Sequence, residues 1–161
     1  MPSVIPSVFA GVDDRDLERI KGITREIFPS VSQLGTGTLE EWLQQANPSL
    51  LLVDVRSPEE FAVSHLPGAV NLQTAAQIAA AVNERKPPRT VLYCSVGFRS
   101  SRLAHALARQ GLRGVMNLEG SIFQWANEGR AVYQGNREVH TVHPYGKRWA
   151  GLLKNGLASD R

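Results

Sequence analysis

Thr90-Val91-Leu92-Tyr93-Cys94-Ser95-Val96-Gly97-Phe98-Arg99-Ser100 is the stretch that decides the fold. Thr90 to Tyr93 reads as a strand that ends at Cys94. From Ser100 to Gln110, Leu103, Ala104, Leu107 and Ala108 form an apolar stripe at helical spacing, and Gly111 supplies the stop. A strand therefore runs through a short loop into a helix. Upstream, Leu50 to Val55 (LLLVDV) is apolar except for Asp54, as expected of a strand covered on both faces of a parallel sheet.

The rest of the chain repeats this alternation. Leu17, Ile20, Ile23 and Ile27 follow Asp13-Asp14 and precede Pro29, which predicts an amphipathic helix over 14–28 packed on the main domain. Gly35-Thr36-Gly37-Thr38 lacks a P-loop lysine; Thr38 with Glu41 is read as a capping box opening a helix around Leu39 to Gln45. Ser57-Pro58-Glu59-Glu60 opens another, with Ser57 as N-cap, Pro58 at the first position and Glu60 closing the box. After the Pro67-Gly68 turn come a strand at Val70 to Leu72 and an alanine-rich helix from about Ala75 to Arg85. A strand at Val115 to Leu118 and a helix from Ile122 to Glu128, stopped by Gly129, complete the series. The pattern specifies an α/β fold, a mostly parallel central sheet with helices on both faces. Ligands in such folds bind beyond the carboxyl ends of the strands, which is where Cys94 falls.

At 161 residues, 42% hydrophobic and 20% charged, the chain suits one globular domain with extensions and is unlike disordered, collagenous or disulfide-scaffold proteins. No apolar run nears the roughly 20 residues of a membrane span. The N-terminus has no positive residue ahead of its mildly apolar stretch and carries two prolines, a poor secretory signal, so a cytoplasmic location is expected. Cys94 is the single cysteine, which rules out an internal disulfide and a multi-thiolate metal cage. Net charge is +3, unevenly spread: residues 85–113 hold seven Lys or Arg and no acid, and residues 130–161 carry a net +4. Without interleaved aromatics or a nucleic-acid-binding motif, charge alone does not argue for nucleic acid as a partner.

The loop after Cys94 carries the chemistry. Its successive N–H groups, with the first unpaired amides of the following helix, can converge on one point and cradle negative charge. Gly97 permits the tight curl, Arg99 adds a guanidinium, and Ser100 is read as a cap for the helix. A free thiol has a pKa of about 8.5, and helix N-termini with nearby cations lower it to roughly 3.5–7.5. Cys94 thus reads as a nucleophile; the competing reading is a small buried residue ending a core strand.

These residues resemble a rhodanese domain over about residues 32–133. The resemblance rests on Leu51-Leu52-Val53-Asp54-Val55-Arg56-Ser57-Pro58-Glu59-Glu60-Phe61, on His65-Leu66-Pro67-Gly68-Ala69, on Cys94 to Ser100, and on Leu118-Glu119-Gly120 before Trp125. It implies a rhodanese-like fold with residues 1–31 as an N-terminal helical extension and 134–161 as a basic C-terminal one. It also implies a sulfurtransferase in which Cys94 accepts a sulfane sulfur as a persulfide and passes it to a thiol or cyanide. Ser95, Val96, Gly97, Phe98, Arg99 and Ser100 would form the substrate loop, with Arg99 on a small anionic donor such as thiosulfate. Asp54 and Arg56 would pair and shape the loop region, and His65 would be structural. The chain lacks the basic residues that tandem rhodaneses can carry directly after the cysteine, which points to thiosulfate as a poor donor. No organic cofactor and no metal are expected. His140 and His143 have no third ligand near in sequence, and Tyr145, Trp149, Leu152 and Leu153 are expected to pack on the domain or a partner.

Two other readings compete. Cysteine-dependent phosphatases and some arsenate reductases share the thiolate, cradle and arginine, but their signature has five residues between Cys and Arg where this chain has four. A non-catalytic module, or a carrier delivering sulfur to a docked protein, is the other; retention of Cys94 and Arg99 favours chemistry.

Overall fold

Five short strands, β1 (Gln33–Leu34), β2 (Leu51–Asp54), β3 (Val70–Asn71), β4 (Thr90–Tyr93) and β5 (Val115–Leu118), form an all-parallel sheet in the order β1-β5-β4-β2-β3. The structure, a computed structural model, describes residues 17–46 and 49–161. All residues of β2 and β4 are buried, which is why their sequences are nearly continuous apolar runs. The helices are α1 (Leu17–Ile27), α2 (Thr36–Leu43), α3 (Pro58–Val63), α4 (Ala75–Arg85), α5 (Phe98–Arg109) and α6 (Ser121–Asn127). α5 packs on β4 and β5 with α1 and α4 beside it, while α2 packs against α6.

Local chemistry explains two of the helix starts. Ser57 and Glu60 form the expected reciprocal capping box with Pro58 just inside α3, and Thr74 with Gln77 does the same for α4. α2 departs from expectation. It begins at Thr36, after an extended Gly35 with no side-chain cap, so the Thr38–Glu41 box does not form. Tertiary contacts set that start: β1 ends at Leu34 against β5, and the Thr36 hydroxyl donates to Glu128 Oε1 at 2.7 Å. The acidic N-cap expected for the first helix, Asp13-Asp14, lies outside the described residues.

β1 and an antiparallel hairpin, β6 (Val132–Gln134) with β7 (Arg137–Val139), were not expected from sequence. The connections place the site. Asp54 at the end of β2 pairs in register with Tyr93 at the end of β4. β2 continues through α3 to β3 on one side, and β4 through α5 to β5 on the other. Right-handed crossovers send α3 and α5 to opposite faces, which opens a crevice between the carboxyl ends of β2 and β4.

Candidate functional site

Cys94 is the first residue past β4, and its sulfur sits inside the curl of the β4–α5 loop. The Gly97 N–H donates to Cys94 Sγ at 3.1 Å, and Ser100 Oγ lies 3.3 Å from it. The loop is held from behind by α6. The Cys94 N–H donates to Ser121 Oγ at 3.1 Å, while the Ile122 and Phe123 amides donate to the carbonyls of Cys94 and Ser95 at 3.2 and 3.0 Å. The first unpaired amides of α6 thus orient the loop that starts α5.

Gly97 caps α5 at φ 103, and a Cβ there would sit 3.1 Å from Asn117 Nδ2. Gly97→Ala is therefore expected to cost of order 1–3 kcal/mol, read as a lower urea midpoint, and to loosen the amide from the sulfur.

Ser100 does not cap the helix as expected. α5 already begins at Phe98, so Ser100 lies in its first turn and faces the sulfur. Ser100 Oγ is also 2.5 Å from Asn117 Oδ1, and Asn117 Nδ2 donates to Gln33 Oε1 at 2.6 Å. The hydroxyl has one proton, so it serves either the amide or the sulfur at a given moment.

Arg99 is already engaged. Its Nη1 and Nη2 donate to Glu60 Oε1 and Oε2 at 3.3 and 3.2 Å, and Nη2 also reaches Ser95 Oγ at 2.9 Å. Glu60 was legible only as a capping residue; its carboxylate serves the Ser57 cap and the crevice together. Burial raises the pKa of Glu60, but Arg99 and then Arg56 outweigh it, so the group is held below its ordinary value. Its charge therefore supports the fold above the ordinary carboxylate range, and that support is lost as pH falls through the lowered value. For Cys94, burial pushes the thiol up, while the Arg99 charge and hydrogen bonds from Ser100 and Gly97 bring it below its ordinary value.

Asp54 and Arg56 lie beneath, both fully buried and paired. Arg56 Nε and Nη2 donate to the Asp54 carboxylate at 2.9 and 2.6 Å, and Nη2 also donates to Ser64 O at 2.7 Å. Burial opposes the Arg56 charge, but Asp54 more than compensates and the pKa is raised. The Arg56 carbonyl accepts from Asn71 and Gln73, tying the β2–α3 turn to the strand beside it.

Other expected residues fall elsewhere. Val96 and Phe98 are buried, and the Phe98 ring meets that of Phe28 with centroids 5.4 Å apart, which packs the residue after α1 against the start of α5. His65 stacks on Phe61 at 4.3 Å and contacts Leu66 O through Nδ1. His143 Nδ1 accepts the Tyr145 N–H at 3.0 Å. Trp149, Leu152 and Leu153 join the apolar core. The basic window around Cys94 is divided by the fold: Arg85, Lys86, Arg89, Arg109 and Arg113 lie where α4 and α5 end and β4 and β5 begin, at the opposite edge of the sheet. Of that window, Arg99 is the charge that brings the thiol's pKa down.

Residues 36–128, more than half of the chain, match the rhodanese-like domain family. The chain belongs to that family. A sulfurtransferase of Allochromatium vinosum is 32% identical over 102 residues, covering 63% of this chain and 94% of its own. The uncharacterized protein slr1261 of Synechocystis is 33% identical over 92 residues, covering 57% of this chain and 50% of its own, so the chain spans half that relative's length. The crystal structure of thiosulfate sulfurtransferase from Pseudomonas aeruginosa superposes with a TM-score of 0.61 at 18% identity, over 85% of this chain and 27% of that one, a likeness of fold. The five-stranded parallel sheet is the rhodanese-like fold. No helix among the described residues is long and apolar enough to cross a membrane.

Proposed function

We propose that this rhodanese-like chain is a sulfurtransferase working through Cys94 in two half-reactions. The thiolate attacks the outer sulfur of a donor such as thiosulfate; the new S–S bond forms as the donor's own bond breaks and sulfite leaves with the electron pair. A thiol or cyanide then attacks the outer sulfur of the persulfide, releasing the Cys94 thiolate. The acceptor is a small molecule or a protein thiol, and the compartment is the cytoplasm, where thiols are kept reduced. Residues 32–133 form the catalytic unit in this reading, with 1–31 and 134–161 as extensions.

The observation that supports it is a thiol bonded by the Gly97 amide at the switch point of a parallel sheet, with a guanidinium acting on it. The loop holds four residues between Cys94 and Arg99, suited to one sulfur atom more than to a tetrahedral phosphate. Intact mass after incubation with thiosulfate tests it: a gain of one sulfur, removed by cyanide, is expected, with no hydrolysis of an aryl phosphate. An unchanged mass with every sulfane donor tried would sink the proposal.

Glu60 bears on the donor. A dianion must compete with that carboxylate for Arg99. Arg99→Ala is expected to raise the KM for thiosulfate about tenfold, the size of one charged hydrogen-bonding partner. It also removes the main cause lowering the Cys94 pKa. Alkylation by iodoacetamide as a function of pH should titrate below the free-thiol value of about 8.5 in the wild type and nearer to it in Arg99→Ala. The sign is that of a depressed acid: the thiolate's contribution to stability is full above the unfolded pKa and is lost as pH falls through the folded one.

A further inference from the structure

The segment beyond the family match is clasped to the domain on both sides of the crevice. Ser64, at the end of α3, donates to Thr141 O at 2.6 Å. Asn127, at the end of α6, donates to Leu152 O at 2.8 Å and accepts from the Lys154 N–H at 2.9 Å. Val142 is fully buried, and its N–H donates to Leu157 O at 2.7 Å.

Between these clasps the chain turns tightly at Tyr145. The Gly146 N–H donates to Pro144 O at 2.8 Å with Tyr145 between them at φ 68. This is a γ-turn of the positive-φ form, rare for any residue and disfavoured for a bulky one. The turn presents the Tyr145 ring to the site, with its centroid 4.2 Å from Arg99 Cζ. The Trp149 ring neighbours that of Tyr145, tilted to it with centroids 6.4 Å apart. A guanidinium at this distance over an aromatic face is attracted by the ring's quadrupole, most strongly where water is partly excluded.

We infer that Tyr145 is a positioning residue for sulfur transfer: its ring closes one face of the Arg99 guanidinium, keeping it between Glu60 and the Cys94 sulfur, so the C-terminal extension completes the site. The inference rests on Cys94 being the sulfur acceptor. It assigns a role to a residue outside 36–128, the part shared with the family. Three partners then surround the guanidinium: the Glu60 carboxylate, the Ser95 hydroxyl and the ring. Without the ring, Arg99 gains freedom to turn toward solvent, and the thiolate loses part of its counter-charge.

The test uses Tyr145→Leu, which keeps apolar bulk, and Tyr145→Phe, which keeps the ring face, in the full chain. One readout is the pH dependence of Cys94 alkylation; the other is KM and kcat with thiosulfate and cyanide. Tyr145→Leu is expected to move the alkylation midpoint upward and to raise KM roughly three- to tenfold, the size of one partly shielded cation–aromatic contact, with kcat changed less. Tyr145→Phe should behave as wild type, because the hydroxyl is not what meets Arg99. A Leu variant indistinguishable from wild type, or a Phe variant no better than Leu, overturns the inference. If the wild type gains no sulfur from any donor, the sulfurtransferase reading fails, while the alkylation midpoints still decide whether Tyr145 holds Arg99.

Discussion

Cys94→Ser is expected to abolish sulfur transfer, with no gain of sulfur by intact mass and thiocyanate formation at the uncatalysed background. Cys94 is the single thiol of the chain, so nothing else can take over the covalent step. The cradle that lowers a thiol's pKa does not bring an alcohol near ionisation at neutral pH, and oxygen is a poor nucleophile toward sulfane sulfur. The loss should be at least a thousandfold, in line with removal of a covalent nucleophile. Cys94 is 1% exposed and the substitution nearly isosteric, so the urea midpoint should move by no more than about 1 kcal/mol equivalent. A collapse of stability in Cys94→Ser would mean that the sulfur is there for packing, and residual turnover above a few percent would place the nucleophile elsewhere.

The second large effect is on stability. Asp54→Ala is expected to destabilise the fold by about 3–5 kcal/mol, because it leaves the Arg56 guanidinium buried without its carboxylate. Part of the cost already exists: Arg56 Nη1 is buried with no partner. Replacing both residues together, Asp54→Leu with Arg56→Met, should recover much of the loss, since apolar pairs of similar volume often match buried ion pairs in stability. Urea unfolding of the single and double variants measures this. A double variant as unstable as the single would show that other Arg56 contacts, such as that to Ser64 O, matter more than charge balance. The pair leads from β2 into α3, which carries Glu60, so the double variant should also weaken the grip on Arg99 and raise the alkylation midpoint.

Much of the fold was legible because β2 and β4 are buried on both faces, which leaves continuous apolar runs, and because α3 announces itself through Ser57, Pro58 and Glu60. β1 was not legible. Two residues leave no periodicity, and Gln33–Leu34 becomes a strand only because β5 offers an edge. The start of α2 was misread because Thr38 and Glu41 have the right spacing for a box, whereas Thr36 meets Glu128, 92 residues away, and moves the start upstream.

The candidate site divides in the same way. Cys94, Gly97 and Arg99 stand in one short stretch of chain, so their meeting is a local matter of a strand, a positive φ and a helix start. Glu60 and Tyr145 reach the same guanidinium from 39 and 46 residues away, and no spacing rule joins them to it. The density of basic residues around Cys94 in the sequence misled in the opposite sense, because five of the seven lie at the ends of α4 and α5 or in the connections after them, at the far edge of the sheet. Sequence alone determined the alternating layers, the thiol at a strand's carboxyl end and the glycine that lets an amide reach it, since each follows from neighbours along the chain. Tertiary structure alone decided which charges act on the sulfur, because electrostatic coupling follows distance and burial, and chain order sets neither.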